Sequence, residues 1–289
     1  MRLKSLIEGM HDRPMEFTDQ IRFDYSNERA NERKIQYEAI LAKYQAPIEI
    51  AVQKFLEDYS AIFKAFKGMQ DEVMVLTPGT RVSENTSNYY TLWMSNHQSW
   101  SAYPPRNRSF ICGADVATSR PYGNVYWAIP LGNPTIGICP ENDIWHSFLI
   151  SKSVQMPTLM TFLAGLDLDA HNWNQFVQEA QNITPLSLMN NKMTANAGNY
   201  LGRAFGAPGL SIYKGLEIGL APDGRPEDPF THVKWHDYHL GQADHEVWFS
   251  NQTLFVDLVC KDRKKLTLIN LIVDKYDRSH KLASMMFRA

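Results

Sequence analysis

Between Thr231 and Phe249 the chain gathers His232, His236, His239 and His245, four of its nine histidines, together with Asp244 and Glu246 just ahead of an apolar run. Two chemistries could use this set. If 244–249 is extended, side chains alternate, so Asp244 and Glu246 share one face while His245 and Val247 share the other. Two carboxylates aimed at one spot can hold a sugar hydroxyl and stabilise the positive charge that develops as a glycosidic bond breaks. Alternatively, His232, His236 and His239 follow i, i+4, i+7 spacing, which on a helix would put three imidazoles on one face, with His245 or Asp237 completing a zinc shell for a metal-dependent hydrolase. Pro229 and Gly241 flank that stretch, and Trp235 and Tyr238 interrupt it, which argues against a regular helix and favours ordinary surface histidines.

A second acidic pair, Glu141 and Asp143, lies in a turn-like setting with Pro140 and Asn142, and Asp143 is expected to cap a helix starting near Ile144. The basic run Lys261–Lys265 reads as a hairpin turn with solvated charges. GxxxxGK[ST], GxGxxG after a strand, GxSxG and HExxH are all absent, which removes the common phosphate-loop, dinucleotide-fold, hydrolase and zincin readings.

Elements that could position these groups follow from the apolar pattern. Residues 1–68 carry 11 basic and 11 acidic side chains, residues 69–160 only 5 and 6, a fall in charge density that places a boundary near Gly68. From Asn27 to Phe66 apolar residues recur at three- and four-residue spacing, predicting amphipathic helices separated or kinked at Pro47 and stopped at Gly68. Short apolar runs at Val73–Leu76, Ser109–Cys112, Val125–Ile129 and Ile136–Cys139 predict strands. Helical texture returns over about 144–205, in the pieces Phe148–Val154, Leu159–Leu166 and Trp173–Ala180. Strands are then expected at Leu210–Leu216, Glu246–Phe249, Thr253–Cys260 and Leu266–Val273. The order suits an α+β fold with an N-terminal helical extension (1–68) and a helical insertion in the domain 69–289.

Composition narrows the class. With 44% hydrophobic residues the chain can bury a core, and its net charge of −2 with pI near 6.5 gives no electrostatic footprint for nucleic acid. Cys112, Cys139 and Cys260, the three cysteines, are far apart and suit a reducing compartment. Glu8 interrupts the apolar core a secretory leader needs, and no apolar run approaches the roughly 20 residues of a membrane span, so a cytoplasmic setting, in its own cell or a host's, is expected.

The segment from His245 to Val256 resembles the last motif of the mono-ADP-ribosyltransferase family, in which an E/Q-x-E triplet leads into an apolar strand, a short turn and another strand. Upstream, Arg108 to Pro130 resembles the family's middle motif, a serine-opened strand followed by a turn, a small-residue helix and a second strand, and Arg81 follows Val73–Leu76 where the first-motif arginine stands. Departures are specific: Ser109 alone matches the serine motif, Asp244 replaces the first Glu or Gln of the triplet, and the spacing from Ser109 to Glu246 demands a large insertion. The resemblance implies a split, mixed or antiparallel β core of ADP-ribosyltransferase type and NAD as substrate, with ADP-ribose passed to a macromolecular acceptor, foremost a protein. It implies that Glu246 holds the nicotinamide ribose and stabilises the oxocarbenium ion, that Asp244 orients or deprotonates the acceptor, and that Ser109 hydrogen-bonds Glu246. Arg81 would clamp the pyrophosphate, with Arg106 and Arg108 as further phosphate ligands, and Tyr122 and Tyr126 would stack on nicotinamide. A non-catalytic binding protein that keeps the fold is the alternative from another class.

Overall fold

The computed structural model describes residues 30–80, 89–157, 159, 163, 172–182, 211–223, 229–239, 244–258 and 267–276. Their chain divides into two compact units. One, the sheet unit, takes the described residues of Met15–Gly79, Ser109–Ile138 and His232–Ala289; the other, the helical unit, takes those of Thr80–Arg108 and Cys139–Thr231. No helix among the described residues is long and apolar enough to cross a membrane.

The sheet unit begins with two helices, α1 (Ala30–Lys43) and α2 (Gln45–Asp58). The break falls at Tyr44, and Pro47 sits in the first turn of α2, where its missing N–H has no helical partner to lose. Ile48, Ala51, Val52 and Phe55 form the buried stripe, and Tyr59 ends the helix in the left-handed region (φ 63°), its N–H donating to the Phe55 carbonyl at 3.0 Å. Past Tyr59 the helical expectation fails. Phe63–Phe66 is strand β1, paired along its whole length with β4 (Asn124–Pro130). Phe63 and Phe66 are three apart and fit a helix face, but cross-strand pairing decides here, so residues 63–66 belong to the sheet and the boundary expected near Gly68 falls inside this unit.

The remaining strands are β2 (Val73–Leu76), β3 (Phe110–Gly113), β5 (Thr135–Ile138), β6 (Thr231–Lys234), β7 (Glu246–Phe249) and β8 (Thr253–Asp257). They join in the order β2-β8-β4-β1-β3-β7-β5-β6, an eight-stranded antiparallel sheet. Every residue of β2 and β8 is buried. The centre of the sheet is unusual. β1 and β3 share one register pair, Phe63↔Gly113, whereas β1 with β4 and β3 with β7 each share four. Beyond that pair the halves β2-β8-β4-β1 and β3-β7-β5-β6 diverge and fold over one another. Phe110 of β3 meets Phe255 of β8 with ring centroids 5.0 Å apart, and Phe66 meets the same ring at 5.0 Å. In a flat sheet three strand spacings, about 14 Å, would separate β3 from β8. The aromatic core between the halves therefore holds the sheet bent about Phe63 and Gly113.

Two expected strands are helices. Leu210–Leu216 gives way to a helix, Ile212–Gly219, whose start is fixed by Ser211: its Oγ accepts from the Lys214 N–H at 3.3 Å. Ile212, Gly215, Leu216 and Gly219 bury one face, a period hidden by the glycines. Leu266–Val273 gives way to Leu268–Tyr276, which buries Leu268, Ile269 and Ile272 and is opened by Thr267 Oγ1, accepting from the Asn270 N–H at 3.3 Å. In both, a short apolar run was ambiguous between strand and helix until the cap is considered. In chain order the other helices are α3 (Tyr89–Asn96), α4 (Val116–Ser119), α5 (Ile144–Lys152) and α6 (Trp173–Asn182), so Ile212–Gly219 is α7 and Leu268–Tyr276 is α8. Of Leu159–Leu166 only Leu159 and Leu163 are described, both helical and buried, and Lys261–Lys265 lies outside the described residues.

The helical unit packs α3, α5, α6 and α7 around aromatic rings. Trp100 Nε1 donates to the Leu220 carbonyl at 2.7 Å, and its ring contacts Phe148 and Phe230 edge-on. Asp143 caps α5 as expected: Oδ1 accepts from the N–H groups of Trp145 (2.6 Å) and His146 (3.3 Å).

Candidate functional site

Glu246 opens β7 directly opposite Gly113. Along β7, Val247 and Phe249 join the aromatic core between the sheet halves, so Glu246 and Trp248 face the other side. Trp248 is buried there against Gly137, and a Cβ on that glycine would lie 2.3 Å from the indole ring. Only glycine gives the ring that space. Glu246 and Asp244 are both partly exposed.

Helix α4 supplies hydroxyls on this face. A Cβ on Gly113 would lie 3.2 Å from Ser119 Oγ and 3.6 Å from Thr118 Oγ1, and directly opposed residues of antiparallel strands point to the same side. Glu246 therefore projects on the side where these hydroxyls stand. Thr118 Oγ1 shares its proton between the Asp115 carbonyl (3.1 Å) and Asp244 Oδ1 (3.4 Å), tying Asp244 to the same place. Asp115 caps α4 by accepting from the Thr118 N–H at 3.0 Å. The Ala114 N–H donates to the His245 carbonyl at 2.9 Å, extending the β3–β7 ladder past Glu246 and leaving His245 on the opposite face from the carboxylates. Thr118 thus holds Asp244, and Glu246 leaves β7 opposite the glycine against which Thr118 and Ser119 pack. Thr118 and Ser119 carry a readable signal only as part of the cap Asp115–Thr118; nothing in their spacing points to residues 244 and 246.

Ser109 is placed elsewhere. It precedes Phe110, which pairs with Phe249 at the far end of β7, so Ser109 stands about 13 Å along the ladder from Glu246, beyond hydrogen-bond reach. The residue that faces Glu246 is Gly113. Tyr126 is also corrected: it is fully buried, packs edge-on against Phe66 and donates its hydroxyl to the Asp71 carbonyl at 2.9 Å, so its ring is core and not a stacking surface. Burial pushes its pKa up. Tyr122 is half-exposed in the turn Arg120–Tyr122, which enters β4 at Asn124 opposite Phe66. That puts it about 10 Å along β1 from the Phe63↔Gly113 junction. Arg106 and Arg108 belong to the helical unit. Arg106 is 4% exposed with its guanidinium 5.9 Å from the Tyr90 ring centroid, which makes it a packing residue, whereas Arg108 is exposed. Arg81 lies outside the described residues.

The histidine stretch is not a helix. His232 lies in β6 and His236 in the turn Trp235–Asp237, so the i, i+4, i+7 face on which a metal shell would depend does not form. Among the described residues no group of three or more His, Cys, Asp or Glu side chains is placed to hold a metal ion. Helix α2 grips this stretch instead. Buried Lys54 donates to the carbonyls of His236 (2.6 Å) and Tyr238 (3.1 Å) and lies 5.5 Å from the Trp235 ring centroid. Desolvation lowers its pKa against the pull of Asp58, Asp237 and Glu57. His239 Nδ1 meets Asp58 Oδ2 at 2.7 Å.

Comparison with protein-family models, curated proteins and solved structures returns no match for this chain.

Proposed function

We propose that the chain transfers ADP-ribose from NAD to a macromolecular acceptor, foremost a protein, with Glu246 as the catalytic carboxylate. One observation carries this reading: Glu246 opens an internal strand at the point where the two halves of a bent antiparallel sheet part, with a second carboxylate, Asp244, held on the same side by Thr118. An α+β fold whose sheet halves share one register pair supports the reading.

In this reading the C1′–N bond of the nicotinamide ribose breaks, neutral nicotinamide leaves, and the cationic sugar is stabilised by the Glu246 carboxylate. The acceptor nucleophile then bonds to C1′ and gives its proton to Asp244. Arg81 remains the proposed pyrophosphate clamp. Ser109 has no part, and the hydroxyl that reaches Asp244 is that of Thr118. The test is nicotinamide release and labelling of acceptor protein with radiolabelled NAD. Glu246→Gln, which keeps shape but removes the charge, should lower the rate at least about 100-fold. A Gln variant that works as fast as the parent chain would end the assignment.

A second reading, a non-catalytic binding protein that keeps the fold, draws on the serine motif, of which Ser109 alone matches. Calorimetry separates the two: failure to bind NAD at millimolar concentration would favour this reading.

A further inference from the structure

We propose that His97, Ser99 and Glu217, all in the helical unit, form a serine-nucleophile relay that takes an acyl group from an ester, an activity separate from the carboxylate site of the sheet unit. Past the end of α3, His97 adopts an extended backbone (φ −75°, ψ 140°) and heads the turn Gln98–Trp100. Its Nδ1 lies 2.8 Å from Ser99 Oγ and accepts the Ser99 N–H at 3.2 Å. An amide can only donate, so Nδ1 is the lone-pair nitrogen and the ring proton sits on Nε2. Nε2 faces Glu217 Oε1, on α7, at 3.7 Å. The arrangement hydroxyl to imidazole to carboxylate is that of an activated serine, with the two ring nitrogens exchanged relative to the usual order. Either ring nitrogen can accept while the other donates, so the exchange leaves the chemistry intact.

Three further features suit the role. The ring is stacked on Trp93 with centroids 4.3 Å apart and planes at 15°, and Tyr213 stands 6.0 Å away, so its orientation is fixed. The His97 side chain is 8% exposed while Ser99 is exposed, which puts the base under cover and the nucleophile in reach of substrate. Lys214 Nζ binds Glu217 Oε2, leaving Oε1 for the imidazole. Burial lowers the His97 pKa, opposed by Glu217 and reinforced by Lys214, so the ring is neutral and able to accept a proton at neutral pH. A turn cap would need only the Ser99 amide on Nδ1. The hydroxyl on the same nitrogen and a carboxylate from a distant helix on the other go beyond capping.

In the reaction the Ser99 N–H releases the Nδ1 lone pair, Ser99 Oγ bonds to the ester carbonyl carbon and its proton passes to His97 Nδ1. The alkoxide leaves with that proton, and water repeats the sequence to release the acid and restore Ser99. The probe is p-nitrophenyl acetate, followed by p-nitrophenol release and by peptide mass spectrometry of the acetyl adduct. The parent chain should carry acetyl on Ser99, with an acylation rate that rises as His97 loses its proton and levels off below the ordinary histidine range; Glu217, Lys214 and Tyr213 are the titratable groups facing that ring. Ser99→Ala keeps the amide and should lose the adduct. His97→Asn is decisive, because its Oδ1 can still accept the Ser99 N–H and keep the turn, yet it cannot take a proton; losing the ring stacked on Trp93 should lower the melting temperature, but acylation of the folded chain should fall at least about 100-fold. No acetyl on Ser99 in the parent chain, or a His97→Asn variant acylated at the parent rate, overturns the relay.

Discussion

Glu72 offers a quantitative test of the packing behind the candidate site. Its side chain is 2% exposed yet links three elements: the Tyr37 hydroxyl of α1 donates to Oε2, the Leu268 N–H at the start of α8 donates to Oε1 at 2.9 Å, and Glu72 itself leads into β2. Its carbonyl also accepts the Asp257 N–H at 2.9 Å. Glu72→Ala leaves a buried hydroxyl and a buried amide without that acceptor. At about 1–3 kcal/mol for each stranded group, and with some relief from no longer burying a carboxylate, the expected loss is about 3 kcal/mol. Glu72→Gln keeps one acceptor oxygen, and the Tyr37 hydroxyl can turn to accept, so about 1 kcal/mol is expected. pH supplies the sharper check. Desolvation raises the Glu72 pKa, with Asp257 adding to it and Tyr37, Leu268 and Arg33 opposing, so the folded state holds the proton more tightly than the unfolded chain. The stabilisation from that proton is fully present below the unfolded value and is lost as pH rises through the folded value. In urea unfolding followed by tryptophan fluorescence, the parent chain should therefore lose stability relative to Glu72→Gln as pH rises from the ordinary glutamate range into the window above it. The paired comparison cancels carboxylates such as Asp58, whose lowered pKa acts in the opposite sense. A difference that stays constant with pH, or grows in favour of the parent chain, would refute the account of Glu72 as a carboxyl penalised by burial.

Sequence patterning locates two of the strands well. Val73–Leu76 and Glu246–Phe249 are found residue for residue because continuous apolar runs bounded by turn residues have few other uses. It fails where period-two and period-3.6 readings overlap, as at Phe63–Phe66, and where a cap outweighs a short apolar run, as at Ser211 and Thr267. The shared face of Asp244 and Glu246 was legible because alternation is local. The position of Ser109 was not, since register between β3 and β7 is fixed by long-range pairing: a shift of four residues exchanges Ser109 for Gly113 opposite Glu246. Lys54 and Glu72 were equally hidden. Each looks like an ordinary surface charge in sequence, and each is buried only because carbonyls or donors from distant segments converge on it.

Two stability predictions bear on how these elements are held. Asp143→Ala removes the acceptor for the first N–H groups of α5 and should cost about 1 kcal/mol, with Asp143→Asn recovering most of it; equal losses in both would mean that charge, not capping, is what Asp143 contributes. Gly137→Ala tests the outer face of the half that carries Glu246. Its Cβ would lie 2.3, 2.4 and 2.7 Å from Cε2, Cζ2 and Cδ2 of Trp248, a rigid ring that is fully buried and cannot swing aside as a flexible chain end would. Either β5 draws away from β7 or the indole is displaced, at a cost of about 3 kcal/mol. Because Glu246 is two residues from Trp248 on the same face, displacement of the ring should also lower the nicotinamide release proposed for Glu246, and near-ultraviolet circular dichroism should show the tryptophan signal change with it. A Gly137→Ala chain with parental stability and an unaltered tryptophan signal would mean that the indole does not rest on Gly137, and the assignment of Trp248 and Glu246 to one face would fall with it.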